Sequence, residues 1–221
     1  MTVETLLVNT PTHGRVLVER PAAPTAQAST TPMTTIVACH GYAQSADDLM
    51  SELQQIRGSE ACTLVSVQAL HRFYARGEQH VVASWMTRQD RDVAIADNIE
   101  YVDRAIEQVC GGAVPGRLFV LGFSQGVAMA YRAGVLGRYR VDGIVAVGGD
   151  VPPDCKDVAL ERWPRVLIAA GDTDFWYTAD KVAADVAYLT THGVRHDVLR
   201  YPAGHVFTDD VRAAIAAFIA A

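Results

Sequence analysis

The sequence predicts an α/β protein: a mostly parallel central sheet with helices on both faces. Three observations carry that reading. From residue 34 onward, apolar runs alternate with amphipathic segments in the order strand, helix, strand, helix. The runs "TIVAC", "LFVLG" and "VLIAA" are almost continuously apolar, as strands covered on both faces must be. Half of the 221 residues are hydrophobic, enough for one substantial core, so a single domain over residues 1–221 is expected.

Taken in order, "TVETLLVN" and "GRVLVER" flank the turn "TPTHG" and predict an N-terminal antiparallel hairpin. "PAAPTAQASTTP" has no apolar period and reads as a linker loop, so hairpin and linker together fill residues 1–33. "TTIVACHG" is a strand, and "SADDLMSELQQI" a helix whose start suits Ser45 and the acids after it. "TLVSVQAL" is the next strand and "DRDVAIADNIEYVDRAIEQVCGG" a long helix closed by glycines. There follow the strand "RLFVLGF", the helix "SQGVAMAYRAGVLG", and the strands "VDGIVAVGG" and "RVLIAAG". "TADKVAADVAYLTTHG" is a helix capped by Gly193, "HDVLRYP" a strand and "TDDVRAAIAAFIAA" the last helix. Parallel strands end at one edge of a sheet, so the polar residues just past those ends should converge.

Composition excludes several classes. The formal charge is -6 and the basic residues are scattered, which leaves no footprint for nucleic acid. No segment approaches the roughly 20 apolar residues of a membrane span, and "MTVETLLVNTPTHGRVLVER" lacks the pattern of an export signal. A soluble, unexported, cytoplasmic protein is expected. Cys39, Cys62, Cys110 and Cys155 are widely spaced, without a Cys-x-x-Cys pair, and read as reduced, mostly buried thiols.

Chemistry enters at "VLGFSQGV". Ser124 lies between Gly122 and Gly126 where a buried strand meets a helix. Small neighbours on both sides permit a strained bend that holds a serine hydroxyl outward as a nucleophile. Such a hydroxyl needs a base, and histidine suits neutral pH. Of seven histidines, His13 falls in the hairpin turn, His71 and His80 in a long loop, His192 at a helix end and His196 at the opposite sheet edge. His205, just past the last strand, is at the correct edge. An imidazole in that role needs a carboxylate to hold its tautomer, and Asp150, Asp172 and Asp174 all follow buried strands. In "ACHGYAQS" the amide of Tyr42 can pair with that of Gln125 to bind an oxyanion, while His40 satisfies a buried carbonyl.

With "HGYAQS", "ASWM", "GFSQG", "GDTD" and "GHVF" in hand, residues 34–221 resemble the α/β-hydrolase superfamily and, within it, the phospholipase/carboxylesterase family that includes acyl-protein thioesterases. The resemblance implies the α/β-hydrolase fold and assigns the acid to Asp174, with Asp172 next. It also implies a serine esterase that works through an acyl-serine intermediate, without metal or organic cofactor. Two departures from the family stand out: "FWYT" replaces the usual Val-Pro pair after the acid, and "SQGV" replaces Ser-Gln-Gly-Gly.

The stretch "HRFYARGEQHVVASWMTRQD" reads as a loop lining the cleft. Its Phe73, Tyr74 and Trp85, with Phe175, Trp176 and Tyr177 beside the acid, either form an apolar substrate pocket or pack into the core. Arg72, Arg76, Arg88 and Arg91 either attract an anionic substrate or are solvated. The leading reading is a carboxylesterase for small or medium acyl esters; a thioesterase and a non-catalytic ligand-binding protein are the alternatives. The partner implied is a small-molecule ester or thioester, with no oligomeric state specified.

Overall fold

The computed structural model describes residues 2–22, 33–77, 79–112 and 116–221. Seven strands form one sheet in the order β1-β3-β2-β6-β7-β8-β9. They are β1 (Arg15–Glu19), β2 (Thr34–Cys39), β3 (Thr63–Gln68), β6 (Arg117–Phe123), β7 (Gly143–Val147), β8 (Arg165–Gly171) and β9 (His196–Tyr201). Only β1 runs antiparallel, against β3; all other pairings are parallel. A separate antiparallel hairpin joins β4 (His71–Tyr74) to β5 (Val81–Ser84).

Strand periodicity builds two cores. On β2, Val37 and Cys39 face one side while Ile36 and Ala38 face the other; on β6, Leu118 and Val120 oppose Phe119 and Leu121. The first face is covered by α2 (Arg91–Cys110), α3 (Gln125–Val135) and α4 (Ala179–Thr191). The second is covered by α1 (Ala46–Gln54) and α5 (Asp209–Ala220), through Leu49, Leu53, Val211, Ile215 and Phe218. This is the α/β-hydrolase-like arrangement the sequence predicts, with helices on both faces.

Local signals act as read. Ser45 caps α1 in a reciprocal box: its hydroxyl accepts from the Asp48 amide at 3.1 Å, and the Asp48 carboxylate accepts from the Ser45 amide at 2.7 Å. Gly193, with φ +71°, follows the end of α4.

The N-terminal antiparallel pairing is present, but its partner differs from the one read in the sequence. Residues 2–14 contain no strand, and the antiparallel partner of β1 is β3, in register from Arg15–Gln68 to Glu19–Leu64. Pairing with a buried strand gives β1 a core face, whereas a lone hairpin is marginal in water. The apolar side chains that suggested a first strand, Val3, Leu6, Leu7 and Val8, are exposed. Of the predicted linker, residues 23–32 lie outside the described residues.

The predicted cleft loop contains the β4–β5 hairpin. Backbone bonds from Ala43 N to Ala83 O (3.0 Å) and from Ala83 N to Gln44 O (2.9 Å) fasten it to the turn after β2. His71 and Arg72 therefore lie on a strand, not in a loop.

Candidate active site

The parallel strands end at one edge, and β2, β6, β8 and β9 each release a segment of the candidate site there. At the end of β6, Ser124 adopts φ 53° and ψ -119°, a positive-φ conformation costing about 1–3 kcal/mol for a non-glycine residue. Its amide donates to Val147 O at 2.9 Å and its carbonyl accepts from Val127 N at 3.0 Å. The flanking glycines are steric necessities. A Cβ on Gly122 would collide with Gly126 O, and one on Gly126 with the carbonyls of Cys39 and His40. Helix α3 thus starts hard against the end of β2. The Gln125 amide stands at its first turn, where N–H groups lack intrahelical partners.

At the end of β2, Gly41 N donates to Gln44 Oε1 at 2.8 Å and Ala43 N is tied to the hairpin. The Tyr42 amide makes no hydrogen bond among the described residues. Gly41 lies against Ser124: a Cβ there would sit 3.2 Å from Ser124 Cβ. Two unengaged amides, those of Tyr42 and Gln125, therefore belong to segments that meet at the serine.

His40 supports this turn. Its Nδ1 lies 2.7 Å from Gly41 O and its Nε2 accepts from Ala69 N at 3.0 Å, which defines the neutral Nδ1–H tautomer. Burial disfavours the imidazolium more than the Gly41 carbonyl and Asp48 favour it, so the His40 pKa lies below the ordinary imidazole value. Trp85 donates from Nε1 to His40 O at 2.8 Å, and its amide donates to Gln125 Oε1 at 2.9 Å. Gln125 Nε2 donates in turn to Met86 O at 3.0 Å, and Asn98 Nδ2 to Trp85 O at 2.7 Å.

At the other side, His205 Nδ1 and Asp174 Oδ2 are 2.7 Å apart, and the Asp174 side chain is fully buried. Asp174 Oδ1 accepts from the amides of Trp176 (2.8 Å) and Tyr177 (3.0 Å). Burial pushes the Asp174 carboxyl upward, but the Tyr177 amide, His205 and the Trp176 amide together outweigh it and hold the group below the usual carboxylate range. With Nδ1 donating to Asp174, His205 Nε2 is the accepting nitrogen; it is buried and has no hydrogen-bond partner among the described residues. Ser124 Oγ is thus not bonded to it in this conformation. The two side chains share neighbours: Phe123 stacks on His205 with centroids 5.0 Å apart. In addition, Cβ atoms on Gly148 and Gly149 would lie 3.0 Å from His205 Cε1 and 2.8 Å from Ser124 O.

The other aspartates go elsewhere. Asp172 pairs with Arg200 at 2.9 Å and Asp150 with Lys181 at 3.6 Å, both at exposed positions. The aromatic residues divide. Trp85 is 0% exposed and Tyr177 1%, so of the two alternatives both take core packing, each held by buried hydrogen bonds. Phe175 and Trp176 are exposed beside Asp174, Tyr74 is exposed on the hairpin, and Phe73 packs on Tyr42 with centroids 5.8 Å apart. Arg72 donates to His13 O. The Gln125 side chain, Gln44 and Asn98 were not legible as site supports, since single amides carry no spacing signal.

Ser124, the Asp174–His205 pair and the amides of Tyr42 and Gln125 thus gather at one edge of the sheet. The family model described as Phospholipase/Carboxylesterase matches residues 21–219, and the chain belongs to that family of hydrolases. No curated protein matches it significantly in sequence. In structure it is similar to esterase PE8, with TM-score 0.67, 23% identity, and coverage of 94% of this chain and 97% of that one. It is similar also to a Bacillus cereus carboxylesterase, with TM-score 0.72, 15% identity, and coverage of 93% and 92%. A third likeness is to Zea mays acyl-protein thioesterase 2, with TM-score 0.67, 16% identity, and coverage of 94% and 98%. No described helix is long and apolar enough to cross a membrane.

Proposed function

We propose that this protein is a serine carboxylesterase that cleaves small or medium acyl esters through an acyl-serine intermediate, with Ser124 as nucleophile, His205 as base and Asp174 as its orienting acid. The observation that carries the reading is the Asp174–His205 pair at 2.7 Å, which leaves Nε2 as an unengaged acceptor at the edge where Ser124 occupies its strained bend.

Substrate binding brings Ser124 Oγ and Nε2 into hydrogen-bond reach, a contact often loose in an empty site. Oγ attacks the ester carbonyl while Nε2 takes its proton, and the amides of Tyr42 and Gln125 receive the negative oxygen. His205 then protonates the departing alkoxide, which leaves as the alcohol. Water repeats the sequence: Nε2 removes its proton, hydroxide adds to the acyl group, and Ser124 regains the proton as the acid is released. Asp174 stays ionised and stabilises the transient imidazolium.

Hydrolysis of a short aryl ester by purified protein tests the reading. Activity that disappears in Ser124→Ala supports it; undiminished activity in that variant overturns it. Thioesters use the same apparatus, and the ratio of rates on matched oxygen and sulfur esters sets the preference.

A further inference from the structure

The helix α4 turns Val182, Asp185 and Leu189 toward the core, so a carboxylate occupies a position where the helical period calls for an apolar residue. A buried carboxylate is costly unless its oxygens are satisfied. Asp185 is 3% exposed, and its Oδ2 accepts two hydrogen bonds: from Tyr177 Oη at 3.0 Å and from Val151 N at 3.0 Å. Lys156 Nζ lies 3.8 Å from Oδ1.

Those two donors belong to the two segments that frame the candidate site. Tyr177 ends the turn after β8, and its own amide holds Asp174 Oδ1. Val151 lies in the loop after β7, whose Gly148 and Gly149 lie against His205 and Ser124. We propose that Asp185 is a positioning residue: a single carboxylate oxygen ties the acid-bearing turn to the loop beneath the serine and the imidazole, and so sets the Asp174–His205 geometry without touching substrate. The inference rests on the serine-hydrolase reading above. Burial raises the Asp185 carboxyl above its ordinary range, consistent with a site chosen for its acceptor geometry and not for easy ionisation.

The test uses Tyr177→Phe, which removes one oxygen, with Asp185→Ala and Asp185→Asn. Tyr177→Phe and Asp185→Ala are expected to lower kcat on an aryl ester by about 10- to 100-fold, the scale of a small misplacement, with KM nearly unchanged. The acidic limb of the kcat/KM profile should move to lower pH, because a loosened carboxylate stabilises the imidazolium less. Asp185→Asn, whose amide oxygen can accept both bonds, should recover most of the rate. The double variant should lose little beyond Asp185→Ala. A merely structural role would scale the rate at every pH and leave the limb in place, and that result overturns the proposal. Should Asp185→Ala fail to fold, Tyr177→Phe still decides.

A second readout is independent of turnover. The downfield proton NMR signal of the His205 Nδ1–H, assigned by its loss in His205→Ala, should shift or broaden in Tyr177→Phe, and an unchanged signal overturns the proposal. Loss of ester hydrolysis in every form, wild type included, would instead strike the parent reading.

Discussion

The indole of Trp85 donates to the carbonyl of His40 at 2.8 Å, so a fully buried aromatic side chain from the end of the hairpin fixes the turn that presents the Tyr42 amide. Trp85→Phe keeps most of the apolar volume but strands that carbonyl. An unsatisfied buried acceptor costs about 1–3 kcal/mol. Urea unfolding should show that loss, and kcat should fall because the turn loosens while Ser124, His205 and Asp174 remain.

Gly126→Ala is expected to be far worse than an average helix substitution. Its new methyl group would meet the carbonyls of Cys39 and His40, both backbone atoms that cannot rotate away. A cost of about 3 kcal/mol or more is expected from overpacking at rigid neighbours. Thermal unfolding of the variant measures it, and a midpoint equal to wild type would contradict the packing described.

Acid should weaken the fold in two steps. The folded-state pKa of His40 is depressed, so its contribution is complete above the unfolded value of about 6.5 and is lost as pH falls toward the folded value. The depressed Asp174 carboxyl behaves likewise from about pH 3.9 downward. Unfolding free energy measured between pH 8 and 5 should decline in wild type and more gently in His40→Gln.

In the proposed mechanism Ser124 and His205 act as a unit, so replacing either by Ala should lower kcat by on the order of 10⁴-fold, with the double variant little worse. Steady-state hydrolysis of the same ester by all three variants checks this. Additive losses would mean that the residues do not share one mechanism.

Much of this architecture was legible in the chain. "TIVAC", "LFVLG" and "VLIAA" announce strands buried on both faces, and Gly122 and Gly126 mark the bend because only glycine fits there. The meeting of Asp174 with His205 was narrowed from three aspartates only by resemblance, since spacing alone does not separate Asp172 from Asp174. The β4–β5 hairpin was missed because "HRFY" and "VVAS" are only four residues each, too short to set a period. "TVETLLVN" has the apolar content of a strand, yet composition does not reveal that no core face awaits it. Whether Trp85 faced a cleft or the core depended on hydrogen bonds across 40 and 45 residues of chain, which no local pattern encodes.

The most direct measurement is labelling with a fluorophosphonate, which phosphonylates an activated serine hydroxyl with loss of fluoride, followed by peptide mass spectrometry. An adduct on the peptide containing Ser124, absent from Ser124→Ala, is the expected result. An adduct on another residue, or equal labelling of the variant, would contradict the account.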